Sequence, residues 1–138
     1  MDRHLAWDTA GRLSVVVHGR KQPTGLEWEE YVNYARGNAG IGDLRLLVWT
    51  HGGSPDANQR KTLEYMARQH FPEAPPLAMI TGSLVVRAVM SLATVFNPRI
   101  KCFSPDQISV AYAYLGLDAS ERKLAAEMLA RLEKAVLL

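Results

Sequence analysis

The sequence has a single cysteine, Cys102, among 138 residues. One thiol excludes an internal disulfide, and four histidines beside it are too few for a zinc-finger pattern. Cys102 falls in the apolar stretch Arg99-Ile-Lys-Cys-Phe, where a buried structural thiol is expected. Long hydrophobic runs are also missing. The longest, residues 83–96, is interrupted by Arg87 and falls short of the ~20 residues a membrane helix needs, so no membrane span is expected. An excess of one charge is missing too: 16 Lys and Arg against 14 Asp and Glu leave +2. The basic residues come in scattered pairs, such as Arg20-Lys21, Arg60-Lys61 and Arg122-Lys123, without interleaved aromatics, which argues against nucleic-acid binding. The opening Met-Asp-Arg-His-Leu lacks the apolar core of a signal peptide, and a cytoplasmic location is expected.

Catalytic signatures are equally scarce. Gly-x-Ser-x-Gly, a phosphate-binding loop ending in Gly-Lys-Ser/Thr and Gly-x-Gly-x-x-Gly are all absent from the sequence. His4, His18, His51 and His70 include no pair at i, i+3 or i, i+4, so no helical metal site is encoded locally. The aspartates Asp8, Asp43, Asp56 and Asp106 fall at expected turns and caps. The reading is of a protein that is not an enzyme and carries neither cofactor nor metal.

Hydrophobic residues make up 48% of the chain and charged residues 22%, an ordinary globular composition. Residues 1–138 read as one α/β domain. Leu5-Ala-Trp-Asp and Leu13-Ser-Val-Val-Val-His-Gly form an expected hairpin around Thr9-Ala-Gly-Arg. Thr24 and Glu27 fit a capping box for a helix that puts Trp28, Tyr31, Val32 and Ala35 on one face. Residues 44–50 are nearly all apolar, as in a strand buried on both faces. Trp28 and Trp49 are therefore expected in the core. After His51-Gly52-Gly53-Ser54, Ser54 is the expected cap of a helix reaching His70, with Pro55 at its first position and Leu63, Met66 and Ala67 inward. Leu77-Ala-Met-Ile-Thr is the next buried strand. The run 84–96 reads as an apolar helix stopped at Asn97-Pro98, and Arg99-Ile-Lys-Cys-Phe as the last strand. Ser104-Pro-Asp-Gln opens a helix carrying Ile108, Ala111, Tyr112 and Leu115, ended by Gly116. The order β-β-α-β-α-β-α-β-α-α implies a mostly parallel sheet behind an opening hairpin.

Two strand-to-helix corners stand out. In open α/β sheets, ligands bind beyond the carboxyl ends of strands, where helix starts present free N–H groups. Thr50-His51-Gly52-Gly53-Ser54 is one such corner and Thr81-Gly82-Ser83 the other. If their strands are neighbours, Ser54, Ser83 and Arg87 can surround one anionic group. Glycines for tight turns and serines as caps account for the same residues without a ligand.

The layout resembles a divergent STAS domain, the fold of bacterial anti-sigma-factor antagonists, and is closest to their SpoIIAA-like relatives. The resemblance runs over roughly residues 4–116. It is carried by Ala6-Trp-Asp…Leu13-Ser-Val-Val-Val-His-Gly, the helix start Leu26-Glu-Trp-Glu-Glu-Tyr and the strand 44–50. Ala78-Met-Ile-Thr with Val86-Arg-Ala-Val-Met-Ser-Leu, and Cys102-Phe-Ser-Pro-Asp-Gln, complete it. It implies a non-catalytic signalling module working through protein–protein contact with a kinase, an anti-sigma factor or another signalling protein. Its contact surface would be Thr50, His51, Gly52, Gly53 and Ser54 with Ala57, Asn58, Arg60 and Lys61. Phosphorylatable STAS domains carry an Asp-Ser-Ser-Gly-like turn here. This sequence keeps hydroxyls at Thr50 and Ser54 without the acidic residue, leaving Ser54 as the phosphorylation candidate. A different class of function is small-ligand binding, of an anion at the two corners or of a lipid, since some SpoIIAA-like proteins are grouped with CRAL-TRIO-type lipid binders.

Residues 118–138 add a further amphipathic helix. Asp118 or Ser120 can cap it, and Leu124, Met128, Leu132 and Ala135 make a stripe. Such a stripe needs a partner, either the domain's own surface or a second copy in a homodimer.

Overall fold

The computed structural model describes residues 2–88 and 98–136. Strands β1 (Leu5–Ala10) and β2 (Leu13–His18) form the hairpin, paired antiparallel from Leu5 opposite His18 to Ala10 opposite Leu13. The strand runs further than its apolar residues suggest, so only Gly11 and Arg12 make the turn, Gly11 at φ +58°. β3 (Arg45–Thr50), β4 (Leu77–Thr81) and β5 (Ile100–Phe103) follow. The sheet order is β1-β2-β3-β4-β5, with every pair after the hairpin parallel. The five-stranded mixed sheet of an α/β domain is thus the one the sequence predicts.

Successive crossovers of one hand along strands in sequential order put their helices on the same face. Here α1 (Gly25–Gly37) and α2 (Ala57–His70) share a face. Trp28, Tyr31 and Val32 of α1 and Met66 of α2 pack there on Leu5, Val16, Val48 and Met79. The other face belongs to α3 (Ile108–Tyr114) and α4 (Ala119–Ala135). Ala111, Tyr112, Ala125, Met128 and Leu132 cover Leu13, Val15, Val17, Leu47 and Ile80. β2 lies buried along its whole length between the layers.

Local chemistry sets the helix starts. Thr24 and Glu27 form their capping box, and Glu27 also accepts the His4 backbone N–H at 2.8 Å. Asp118 and Glu121 form another at α4. At α2 the cap is Asp56, paired reciprocally with Gln59, not Ser54. Three residues beyond Ser54 stands Ala57, which has no side chain to reach back, whereas Asp-x-x-Gln satisfies both N–H groups. Residues 84–88 are helical; the remainder of the helix expected over 84–96 lies outside the described residues.

The final helix docks on its own sheet. Its buried positions are Ala125, Met128 and Leu132, with Val136 just beyond its end, whereas Ala135 is exposed. The buried face is rotated from the expected stripe, with Ala125 in place of Leu124 and Val136 in place of Ala135. Arg12, in the hairpin turn, grips Glu121 with Nε and Nη2 at 2.7 and 2.8 Å and Asp43 with Nη1 at 2.6 Å. That bidentate pairing holds the Glu121 carboxyl down at about 2. Arg131 reaches Asp8 at 2.6 Å. Met128 and Leu132 of the apolar stripe are thereby buried within the chain.

Candidate functional site

Each of the three central strands ends in a polar residue that the sheet register aligns. His18 pairs with Thr50 and Thr50 with Thr81, and all three are buried. They share side-chain parity with Val16, Val48 and Met79, so the polar row faces the α1/α2 layer at the carboxyl end of the sheet. Thr50 and Thr81 are satisfied locally. The Thr50 hydroxyl donates to the Gly53 carbonyl and accepts from the Gly52 N–H at 3.1 Å, and Thr81 Oγ1 accepts from the Ser83 N–H at 3.0 Å.

His18 differs. It is 5% exposed, its ring lies 6.4 Å from Trp28, and Nδ1 has no hydrogen-bond partner. Burial disfavours the imidazolium and pulls the His18 pKa down from 6.5 to about 4, against a small opposing pull from Glu27. Between those values the unfolded chain holds the proton and the folded one does not. Stability therefore falls as pH drops from about 6.5 to 4, by about 3 kcal/mol in all. Urea midpoints measured across that window should show the loss, and His18→Leu should remove that share of it. Identical pH slopes in both proteins would disprove the assignment.

Beneath this row is a cavity of about 160 Å³. Val16, Val48, Met79 and Val86 give it apolar walls and Trp28 and Tyr31 aromatic ones; His18, Thr50, Ser54 and Arg60 supply polar edges. The β3–α2 corner forms its rim. The Gly53 N–H donates to Gly19 O at 2.9 Å, tying the corner to the chain leaving β2. A Cβ on Gly53 would lie 2.7 Å from that oxygen and closer still to Lys21 O, so only glycine fits. The Trp28 indole N–H is engaged by Gln59 O at 2.8 Å, which joins α1 to α2 across the layer.

No protein-family model matches the chain, and neither does any curated protein or solved structure. The reading of the site accordingly rests on its geometry.

The structure divides the residues that the sequence singles out. Thr50, Gly53, Ser54 and Arg60 meet around the cavity with His18. Arg60 Nη1 also donates to Pro55 O at 2.9 Å. Gly52, Ala57, Asn58 and Lys61 are exposed on the outside of the corner. His51 turns to the opposite face, its ring 6.2 Å from Trp49 and its Nε2 3.5 Å from Glu133. Trp49 is half-buried on that face, while Trp28 is fully in the core. The condition for a Ser54–Ser83–Arg87 anion site is met in part, since β3 and β4 are neighbours. However, Ser83 Oγ accepts the Val86 N–H at 3.2 Å, capping its own helical turn. Arg87 stands near half-buried Cys102, where its charge offsets part of the burial that raises the thiol pKa. The three do not share the cavity wall. Among the described residues, no cluster of His, Cys, Asp and Glu is placed to hold a metal, and no helix is long and apolar enough to cross a membrane.

His18 is the residue that sequence reasoning missed. The available signal is that the three central strands each close on a polar residue within two positions of a glycine: His18-Gly19, Thr50-His51-Gly52 and Thr81-Gly82.

Proposed function

We propose that the domain is a non-catalytic binding module that takes a small, largely apolar molecule in the cavity under the β3–α2 corner. The observation that carries the reading is the His18 imidazole, buried at the wall of an apolar cavity with one ring nitrogen unpaired. A concave, mostly apolar site with few convergent polar groups is the usual form of a small-molecule pocket. Its location at strand carboxyl ends agrees with where α/β sheets bind ligands. The opening hairpin, the parallel strands in sequence order and the β3–α2 corner also support placing the domain with STAS and SpoIIAA-like proteins.

Methyl-labelled methionine gives the test. Met79 lines the cavity, whereas Met128 packs on the opposite face of the sheet. A titration with a panel of small apolar probes should move the Met79 methyl resonance and leave Met128 in place. A panel that moves neither rejects the proposal.

A signalling role through protein contact is the second reading, favoured by a separate observation. Leu84 and Val85 are 79% and 74% exposed, at the same sheet end as exposed Gly52, Asn58 and Lys61. Clustered exposed apolar side chains mark contact sites on soluble domains. The partner would be a kinase, an anti-sigma factor or another signalling protein. Capture of such a partner by wild type, lost in Leu84→Glu and in Ser54→Asp, would establish this role. Equal capture by all three proteins would remove these residues from the interface.

A further inference from the structure

The geometry points to a second binding site on the opposite face of the sheet, in the groove between α3 and α4. We infer that it takes a small organic cation, with an ammonium head held by Glu133 and Trp49 and an apolar body lying along α4. Among the described residues it shares none with the cavity under the β3–α2 corner, so it is independent of that reading.

The groove arises from how the two helices divide the sheet. α4 packs mainly on β1 and β2, and α3 on β4 and β5. The carboxyl end of β3, the central strand, is left between them. Trp49 is therefore only half-buried there, although a large aromatic side chain on a central strand is ordinarily well covered. Trp49 forms the floor, Ile108 and Tyr112 the α3 wall, and Ala126, Leu129 and Ala130 the α4 wall. Ala126 and Ala130 are exposed and keep that wall low, so the groove is open to solvent along α4.

Charge decides the head group. Among the described residues that line the groove, Glu133 is the only acidic or basic side chain besides His51. Its carboxylate is half-exposed, and His51 Nε2 stands 3.5 Å away without forming a hydrogen bond. The acceptor is therefore accessible to a ligand. Glu133 also lies in the last turn of α4, where the free carbonyls of the helix add partial negative charge. The Trp49 ring, 6.2 Å from that of His51, supplies a π surface, which attracts cations. Arg122 bears on Tyr112 from the far end, about three turns along α4 from Glu133, and donates to Leu117 O at 3.1 Å. An anionic head beside Glu133 would meet two charges of its own sign.

The rest of the groove is apolar and sets the other half of the ligand. Ala126, Leu129, Ala130 and Glu133 follow one another at helical spacing on one flank of α4. The apolar wall thus runs away from the carboxylate for about 10 Å. A bare methylammonium leaves that wall wet, whereas an alkyl chain covers it and gains with each methylene buried.

The experiment titrates the full chain with hexylammonium, 1-hexanol, hexanoate and methylammonium, reading the indole ¹H–¹⁵N resonances. Hexylammonium should move the Trp49 indole and leave that of Trp28, on the other face of the sheet, in place. It should bind about threefold more tightly than 1-hexanol, and about tenfold more tightly than hexanoate or methylammonium. Glu133→Gln should weaken hexylammonium about fivefold, the upper end for a half-exposed ion pair, and change 1-hexanol by less than about twofold. Ala130→Phe fills the groove from an exposed position and should abolish the Trp49 response to both. Neither side chain is part of the core, so both variants should melt as wild type does. A Trp49 indole that stays silent overturns the inference, and so does a response that survives Ala130→Phe. Hexanoate or methylammonium binding as tightly as hexylammonium has the same effect, as does a Glu133→Gln affinity within about twofold of wild type. Shifts confined to Trp28 would move the amine to the corner cavity, removing this site and leaving the earlier reading in place.

Discussion

Truncation after Leu117 is expected to yield a chain that does not fold. The cut removes α4 with Met128 and Leu132, together with Val136, and it bares the Leu13, Val15 and Val17 side of β2 that they cover. At about 1.5–3 kcal/mol for each large side chain, those six residues represent roughly 9–18 kcal/mol gross. A whole domain is stable by only about 5–15 kcal/mol. The cut also removes both carboxylate bonds to Arg12 from Glu121 and the Arg131–Asp8 pair. Circular dichroism should show no cooperative melt, and amide resonances should collapse into the unfolded range. A truncated chain melting cooperatively within a few degrees of wild type would reject this account. A milder probe of the same layer is Met128→Ala, expected to cost about 2–5 kcal/mol as a buried large-to-small change.

The second large effect is expected at the β3–α2 corner. Gly53→Ala places a methyl against two backbone carbonyl oxygens, Gly19 and Lys21, and neither can rotate away as a side-chain end would. The Gly53 carbonyl is itself held by the Thr50 hydroxyl, so the corner has little room to shift. The loss should reach about 3 kcal/mol, the upper end of ordinary overpacking, read as a lower urea midpoint at unchanged slope. Because Gly53 also lines the cavity, probe binding at Met79 should weaken in the same variant. Gly42→Ala is the control. A Cβ there meets nothing within 4 Å, and it should stay within about 0.5 kcal/mol of wild type. Equal losses in the two variants would show that the close approach at Gly53 is not what matters.

Most of the fold can be read from the sequence because its cues are local. Thr24-x-x-Glu27 and Asp118-x-x-Glu121 mark helix starts by side chains three residues apart. The β-branched run 13–17 and the apolar run 44–50 identify strands by content alone. Errors arise where two local cues compete or where size matters more than polarity. At α2, Ser54-Pro55 and Asp56-x-x-Gln59 both look like helix starts, and the reciprocal pair prevails. In α4, a pattern built on large apolar residues passes over Ala125, which is small and fully buried. The site is less legible than the fold. His18, Thr50 and Thr81 are far apart in the chain, and only the strand register sets them in one row. Whether a hydroxyl in that row is free or bonded to its own turn depends on backbone geometry. That is why Ser54 and Arg60 are legible as candidates in the sequence and His18 is not.

The docking of α4 on the opening hairpin also has a consequence for biosynthesis. Arg12 and Glu121, which clasp one another in the folded domain, are 109 residues apart. A ribosome adding about 5–20 residues per second takes roughly 5–20 seconds to make the chain between them. Throughout that interval the Leu13, Val15 and Val17 side of the hairpin has no helix to cover it, although β3 is already available to pair with β2. The nascent domain therefore presents a greasy, half-built sheet until the last helix emerges and closes over it.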